Sequence, residues 1–290
     1  MRQLCLHPLR SMLSMRPMLS VRSLRALRAL PLMRFPSRLC SLHGKRRAAL
    51  AAAGAALLLH VLPVHVQAAP SPAIGTRIDM GDFLIDATEV TIGQFAAHAA
   101  RRKLVTAAER EGGGFEFGAG WERRPGWSYR APYGRPGAAD EPAVHLSWPE
   151  AKAYCEDAGG ALPTRAQWAA AAYTERRGNP PAPLQGGRTY PYPTGETAAG
   201  ANTSAAGDPW QRHAPAGKTA VGVNGLYDMG ANVWEWLLDA QGDERLTAGG
   251  SWWYDASKMR QEGMQYKPAA FYAVYVGFRC VYPRQAQQAR

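Results

Sequence analysis

Glycine and proline recur so often after Ile74 that the chain has little room for long helices or strands. The 290 residues include 30 glycines and 22 prolines. Glycine loosens regular backbone through its freedom at positive φ, and proline breaks it through its missing N–H. Such punctuation leaves short elements joined by loops, the pattern of a loop-rich α+β domain rather than a repeating βαβ unit. All nine tryptophans fall at Trp121 or later, where they supply large apolar anchors for a core assembled from small pieces. No internal repeat or linker-like run divides residues 69–290, so a single domain is expected there.

Three short helices are marked by their first residues. "TIGQFAAHAARRK" offers Thr91 and Gln94, "SWPEAKAYCEDAGG" offers Ser147 and Glu150, and "TRAQWAAAAYTE" offers Thr164 and Gln167. Each is a capping-box pattern, a side-chain oxygen at the N-cap with Glu or Gln three residues on. Helical spacing in the second places Ala151, Tyr154, Cys155 and Ala158 on one face. "FLIDATEV" and "VGFRCVYP" read as strands, and residues 175–200 as a loop-rich insertion.

Charge is placed unevenly. Residues 1–69 contain 11 of the 34 Lys and Arg and no acid, which leaves 34 − 11 = 23 basic residues against all 23 acidic ones in the rest. The basic pI therefore belongs to the leader. A body of zero net charge gives no electrostatic case for nucleic acid as a partner. Within the leader, residues 1–44 are basic and acid-free, read as a disordered transit-like segment or as sequence upstream of a later start such as Met33. Residues 45–68 read as a signal peptide: Lys45, Arg46 and Arg47, an apolar run from Ala48 to Leu62, then small residues up to Ala68. His60, Pro63 and His65 break the apolar run, so no stable membrane span is expected after cleavage. The expected location is the periplasm or the exterior, by general or twin-arginine export. Export leaves Cys155 and Cys280 in the mature chain, as one disulfide or as two buried thiols, and an oxidising compartment favours the disulfide.

Five blocks in order, "DATEVTIGQF", "EPAVHLSWPEAKAYCEDAGGALPTRAQW", "GLYDMGANVWEW", "AGGSWW" and "VGFRC", resemble the formylglycine-generating enzyme (sulfatase-modifying factor) superfamily over roughly residues 78–282. The resemblance implies that family's loop-rich α+β fold, related to C-type lectins. It pairs Cys155 with Cys280. It implies structural Ca²⁺ at two places: Asp228 and Glu235 with the carbonyls of Ala231 and Val233, and Asn202 and Asp208 with the carbonyls of Thr203 and Trp210. Calcium suits such irregular oxygen sets, although Asp and Asn in these stretches also serve as turn and cap formers.

The segment "GGSWWYDASKMRQEGMQYKP", residues 249–268, carries no cysteine. In copper-dependent members of the family this segment holds two cysteines for Cu(I), a soft ion suited to thiolates. Counting from Ser251, those positions are Tyr254 and Met259, so no copper is expected and sulfatase activation is the weakest reading. An iron site of the sulfoxide-synthase branch needs a histidine cluster, whereas His98, His145 and His213 are scattered. The segment is closest in motif to the cysteine-lacking pyoverdine-maturation members. That resemblance implies an oxidoreductase with an unidentified redox cofactor, acting on an aromatic or amine-bearing small molecule or peptide. Trp253 and Tyr266 offer flat apolar faces to such a substrate. Glu262, among aromatic rings, is the expected desolvated base, with Tyr254 beside it, and Arg260 or Lys267 is expected to neutralise an anionic intermediate. The alternative is a non-catalytic binding domain that uses the lectin-like surface.

Overall fold

Each helix starts where its side-chain cap predicts. The computed structural model describes residues 71–205 and 209–284; the leader and the proposed signal peptide lie outside the described residues. In chain order the elements are β1 (Arg77–Asp79), β2 (Phe83–Asp86), α1 (Ile92–Arg102), α2 (Ala107–Arg110), β3 (Gly113–Phe117), β4 (Trp121–Pro125), α3 (Trp148–Asp157), α4 (Arg165–Tyr173), β5 (Trp234–Gln241), β6 (Glu244–Ala248), β7 (Gln265–Pro268), β8 (Val276–Gly277) and β9 (Val281–Pro283). Thr91 and Gln94 exchange hydrogen bonds at the start of α1, and Thr164 and Gln167 do so at α4. At α3, Glu150 accepts from the Ser147 amide and hydroxyl, and its second oxygen accepts from the Ala107 amide, tying α3 to α2. A fourth capping box, Thr106 with Glu109, opens α2. Sequence reading passed over it because a single turn carries no apolar repeat.

Among the described residues the strands form three small sheets: β1-β2-β9, the hairpin β3-β4, and β7-β6-β5-β8. The last is antiparallel except where β8 runs parallel to β5. The strand read across Val276–Pro283 is divided, because Phe278, Arg279 and Cys280 pass between β8 and β9. On α3 the buried face holds Ala151, Tyr154 and Cys155. Ala158, expected with them, is exposed, because it is the C-cap and the helical turn has already ended. Cys155 bonds Cys280 with a Cα–Cα separation of 5.5 Å, which fastens α3 to the chain entering β9. No described helix is long and apolar enough to cross a membrane.

The period of two along β5 sorts the interior. Trp234 and Trp236 enter a core cluster with Phe95, Tyr154, Tyr275 and Phe278. Leu237 enters a second cluster with Trp168, Tyr173 and Met229. Glu235, between the two tryptophans, faces the Trp168 side, where it accepts from the indole N–H at 2.7 Å. A carboxylate thus sits in the middle of the molecule, and its partner must come from elsewhere in the fold.

Candidate functional site

The segment 249–268 begins with a close approach. Gly249 has φ +92°, and a Cβ there would stand 2.8 Å from the Met229 carbonyl oxygen, so only glycine lets the end of β6 lie against that loop. Beyond it Trp252 is buried and Trp253 is 40% exposed, the two rings meeting edge to face at 5.2 Å. Two short 3-10 turns, Ala256–Met259 and Gln261–Gly263, lead into β7.

Glu262 does not occupy the desolvated position expected of it. Its side chain is 73% exposed and pairs with Arg260, whose Nε lies 3.0 Å from Glu262 Oε1. Arg260 in turn lies over the Tyr192 ring at 5.2 Å. Water reaches the carboxylate because the turn Gln261–Gly263 projects it outward from the aromatic residues. Tyr266 is likewise at the surface.

Lys267, expected only to neutralise charge, is the group that the fold desolvates. In β7 it stands opposite Arg245 of β6. Its Nζ lies 4.1 Å from the centroid of Trp234 and donates to Thr247 Oγ1 at 2.9 Å. Burial, helped by the Lys258 charge, lowers its pKa from 10.5 to about 7. A cation on an indole face is stabilised, but loss of hydration outweighs that here, and the amine is largely neutral just above neutral pH.

The rings around this amine are continuous. Trp234 meets Tyr254 edge to face at 5.6 Å, and Tyr254 meets Tyr275 at 6.1 Å. Tyr275 adjoins Trp121, which contacts Phe117 and Phe271. Trp121 and Phe117 are exposed at the end of the β3-β4 hairpin. The indole N–H groups of Trp234 and Trp252 are buried without a hydrogen-bond partner. Together these residues provide a titratable amine and an aromatic surface. Sequence reading missed Trp121, Trp234 and Tyr275. The one available signal was the pair of aromatics flanking the glycine turn in "FEFGAGWERR".

The metals implied by the family resemblance can be tested against these side chains. Tyr254 turns to Trp234 and Tyr275, whereas Met259 is buried beside Gly230, where an added Cβ would stand 2.5 Å from Met259 Cε. They form no pair of soft ligands facing one ion, and Cu(I) does not fit. Among the described residues no three His, Cys, Asp or Glu side chains are arranged to hold a metal. The first calcium set fits poorly. Arg279 holds Glu235 by contacts of 2.6–2.8 Å, and a guanidinium on the carboxylate opposes a dication there. Asp228 accepts from the Gly217 amide and the Thr219 hydroxyl; the Ala231 and Val233 amides donate to the Gly249 carbonyl and the Glu89 carboxylate, contacts that do not engage the carbonyls this set would use. Glu89, fully buried, is held well above the usual carboxylate range by burial and by the Asp228 and Glu235 charges. The second set keeps one matching feature: Asn202 Oδ1 is buried with no hydrogen-bond partner, as a cation ligand would be. Thr203 follows it directly and Trp210 lies eight residues further along the chain, while Asp208 lies outside the described residues.

Residues 60–284 match the sulfatase-modifying factor enzyme 1-like domain. A formylglycine-generating enzyme of Thermomonospora curvata is 34% identical over 197 residues, 56% of this chain and 61% of that protein. An inactive C-alpha-formylglycine-generating enzyme 2 of Mus musculus is 31% identical over 217 residues, 61% of this chain and 65% of that protein. A hercynine oxygenase of Mycolicibacterium thermoresistibile is 28% identical over 177 residues, 52% of this chain and 38% of that protein. The chain thus spans less than two thirds of the length of each of these relatives. The solved structure of PvdO from Pseudomonas aeruginosa superposes with a TM-score of 0.52 at 20% identity, covering 70% of this chain and 80% of that one, a likeness of fold.

Proposed function

This chain belongs to the sulfatase-modifying factor family, and from that premise we propose that it is an exported oxidoreductase acting on an aromatic or amine-bearing small molecule or peptide, without a copper–thiolate centre. The observation that carries the reading is the Lys267 amine, desolvated on Trp234 within a continuous run of aromatic rings. A flat substrate stacks on rings such as Trp253 and Trp121. The neutral Nζ takes one proton as the substrate is oxidised, and the second hydrogen leaves with the electron pair, a hydride equivalent, to a diffusible two-electron oxidant such as dioxygen or a quinone. Tyr254, beside Trp234, orients polar atoms of the substrate. The relative named hercynine oxygenase supports oxidation as the class of chemistry. The Cys155–Cys280 bond supports an oxidising compartment. Calcium belongs to this reading at the Asn202 end only, as a structural ion.

The test compares the small molecules of a deletion strain with those of strains carrying the intact gene or Lys267→Met. Deletion and Lys267→Met are both expected to accumulate one aromatic or amine-bearing compound richer by a pair of hydrogens than the product that disappears. Lys267→Met should fold at least as stably as the parent, because it removes a group that burial disfavours. Identical profiles in all strains would sink the oxidoreductase reading. They would leave the second one, a non-catalytic binding domain, which the match to a relative named inactive favours.

A further inference from the structure

A cavity of about 570 Å³ lies apart from segment 249–268 in the chain and shares no lining residue with it. Its floor is an ordered trio. The His213 side chain is 1% exposed, with Nε2 at 2.7 Å from Glu141 Oε2. Its Nδ1 lies 3.0 Å from the Tyr133 hydroxyl. Glu141 is fixed from its other oxygen by the Ala138 amide, and His213 holds its carboxyl below the usual range. An ionised carboxylate only accepts, so Nε2 carries the proton. In the neutral ring Nδ1 is then the acceptor, and the Tyr133 hydroxyl donates to it. This leaves the phenol oxygen's lone pairs for a donor in the cavity.

Arg135 and Arg212 line the cavity, and neither forms an ion pair among the described residues. Arg212 lies over the Tyr133 ring at 4.0 Å. Glu141 is the one acid among the described lining residues, and it is committed to His213 and Ala138. A purely structural histidine–glutamate tie would explain the floor, but not two arginines on the same lining without an ion pair among the described residues.

We propose that this cavity binds a small hydroxycarboxylate: Arg135 and Arg212 take the carboxylate, and the ligand hydroxyl donates to Tyr133, which His213 and Glu141 hold in place. An ammonium in place of the hydroxyl is disfavoured, because it would face both arginines.

Binding is read by calorimetry and ligand-observed NMR on the mature chain, with mandelate, phenylacetate and inorganic phosphate as probes. Mandelate should bind about tenfold more tightly than phenylacetate, which lacks the hydroxyl. Tyr133→Phe should bring mandelate down to the phenylacetate affinity and leave phenylacetate unchanged. Arg135→Gln with Arg212→Gln should abolish binding of both without lowering the melting temperature, since both side chains are exposed. Equal affinities for mandelate and phenylacetate, binding of phosphate alone, or no saturable binding at millimolar concentration would each overturn the proposal. None of these outcomes depends on Lys267 or on turnover, so failure here is distinguishable from failure of the oxidoreductase reading.

Discussion

Two glutamate–arginine pairs occupy opposite environments in this molecule: the family resemblance implied a calcium-ligand role for Glu235, and the aromatic neighbours of Glu262 in the sequence suggested a catalytic base. Glu235 and Arg279 are 1% and 0% exposed, joined through contacts of 2.6–2.8 Å. Each nitrogen of the guanidinium has a partner, since Arg279 also donates to the carbonyls of Asp86 and Tyr227, and Glu235 accepts from the Trp168 indole as well. Glu262 and Arg260 meet through one contact of 3.0 Å at the surface. The interior pair joins β5 to the chain entering β9, and the surface pair joins neighbours on one turn. The difference teaches that burial and completeness of hydrogen bonding, more than the pairing itself, decide what such residues do. A buried pair is expensive to break because the survivor stays charged in a dry place, whereas an exposed pair simply returns to water.

The largest effect should therefore come from the interior. Glu235→Ala strands Arg279 and should cost about 3–5 kcal/mol, measured by chemical denaturation. Replacing both members with apolar residues of similar volume should cost far less, since no uncompensated charge remains. A loss below 1 kcal/mol in the single variant would show that Arg279 can do without Glu235, and the contrast between the pairs would fail.

A third carboxylate sharpens the comparison, because it is buried without a cation bonded to it. Asp86 accepts from the Cys280 amide at 3.0 Å and the Tyr282 hydroxyl at 3.3 Å, and burial raises its pKa from 3.8 to about 6. The folded state therefore holds this proton more tightly than the unfolded chain. Its contribution is fully present below pH 4 and is lost as pH rises through 6, a change of roughly 3 kcal/mol for a two-unit shift. Other carboxyls, such as Glu141 and Asp157, are shifted downward and slope the other way, so the informative quantity is a difference. Between pH 4 and 6 the stability of Asp86→Asn minus that of the parent should climb with pH. A flat difference would mean that burial does not raise the Asp86 pKa above its unfolded value.

The contrast also shows what a sequence can and cannot disclose here. Caps are local: Thr91 with Gln94 and Thr164 with Gln167 stand three residues apart, and the hydrogen bonds found are those the spacing implies. Ordered family motifs made the loop-rich α+β fold, with its C-type lectin relationship, legible before any coordinate was known. Desolvation is not local. Whether Lys267 or Glu262 loses its water depends on Trp234 and Thr247 arriving from β5 and β6, and on a turn that carries Glu262 outward. Glu235 matched a calcium motif, but Arg279 reaches it from 44 residues away. Tyr133, Glu141 and His213 carry no shared pattern, since two loops bring them together.

The smallest effect belongs to the surface pair. Glu262→Gln keeps the shape of the side chain and removes its charge. Arg260 retains its position over the Tyr192 ring, so the turn keeps one of its contacts. At 73% exposure the lost ion pair is replaced by water on both sides. Stability should shift by less than about 0.5 kcal/mol, and by less still at high salt, where exposed charges are screened. A strain carrying Glu262→Gln should also show the parental metabolite profile, because the proposed proton acceptor is Lys267. A loss above 1 kcal/mol would place the surface pair with the interior one. A profile matching the deletion strain would move the proton back to Glu262, and with it the part of the reading that rests on the desolvated amine.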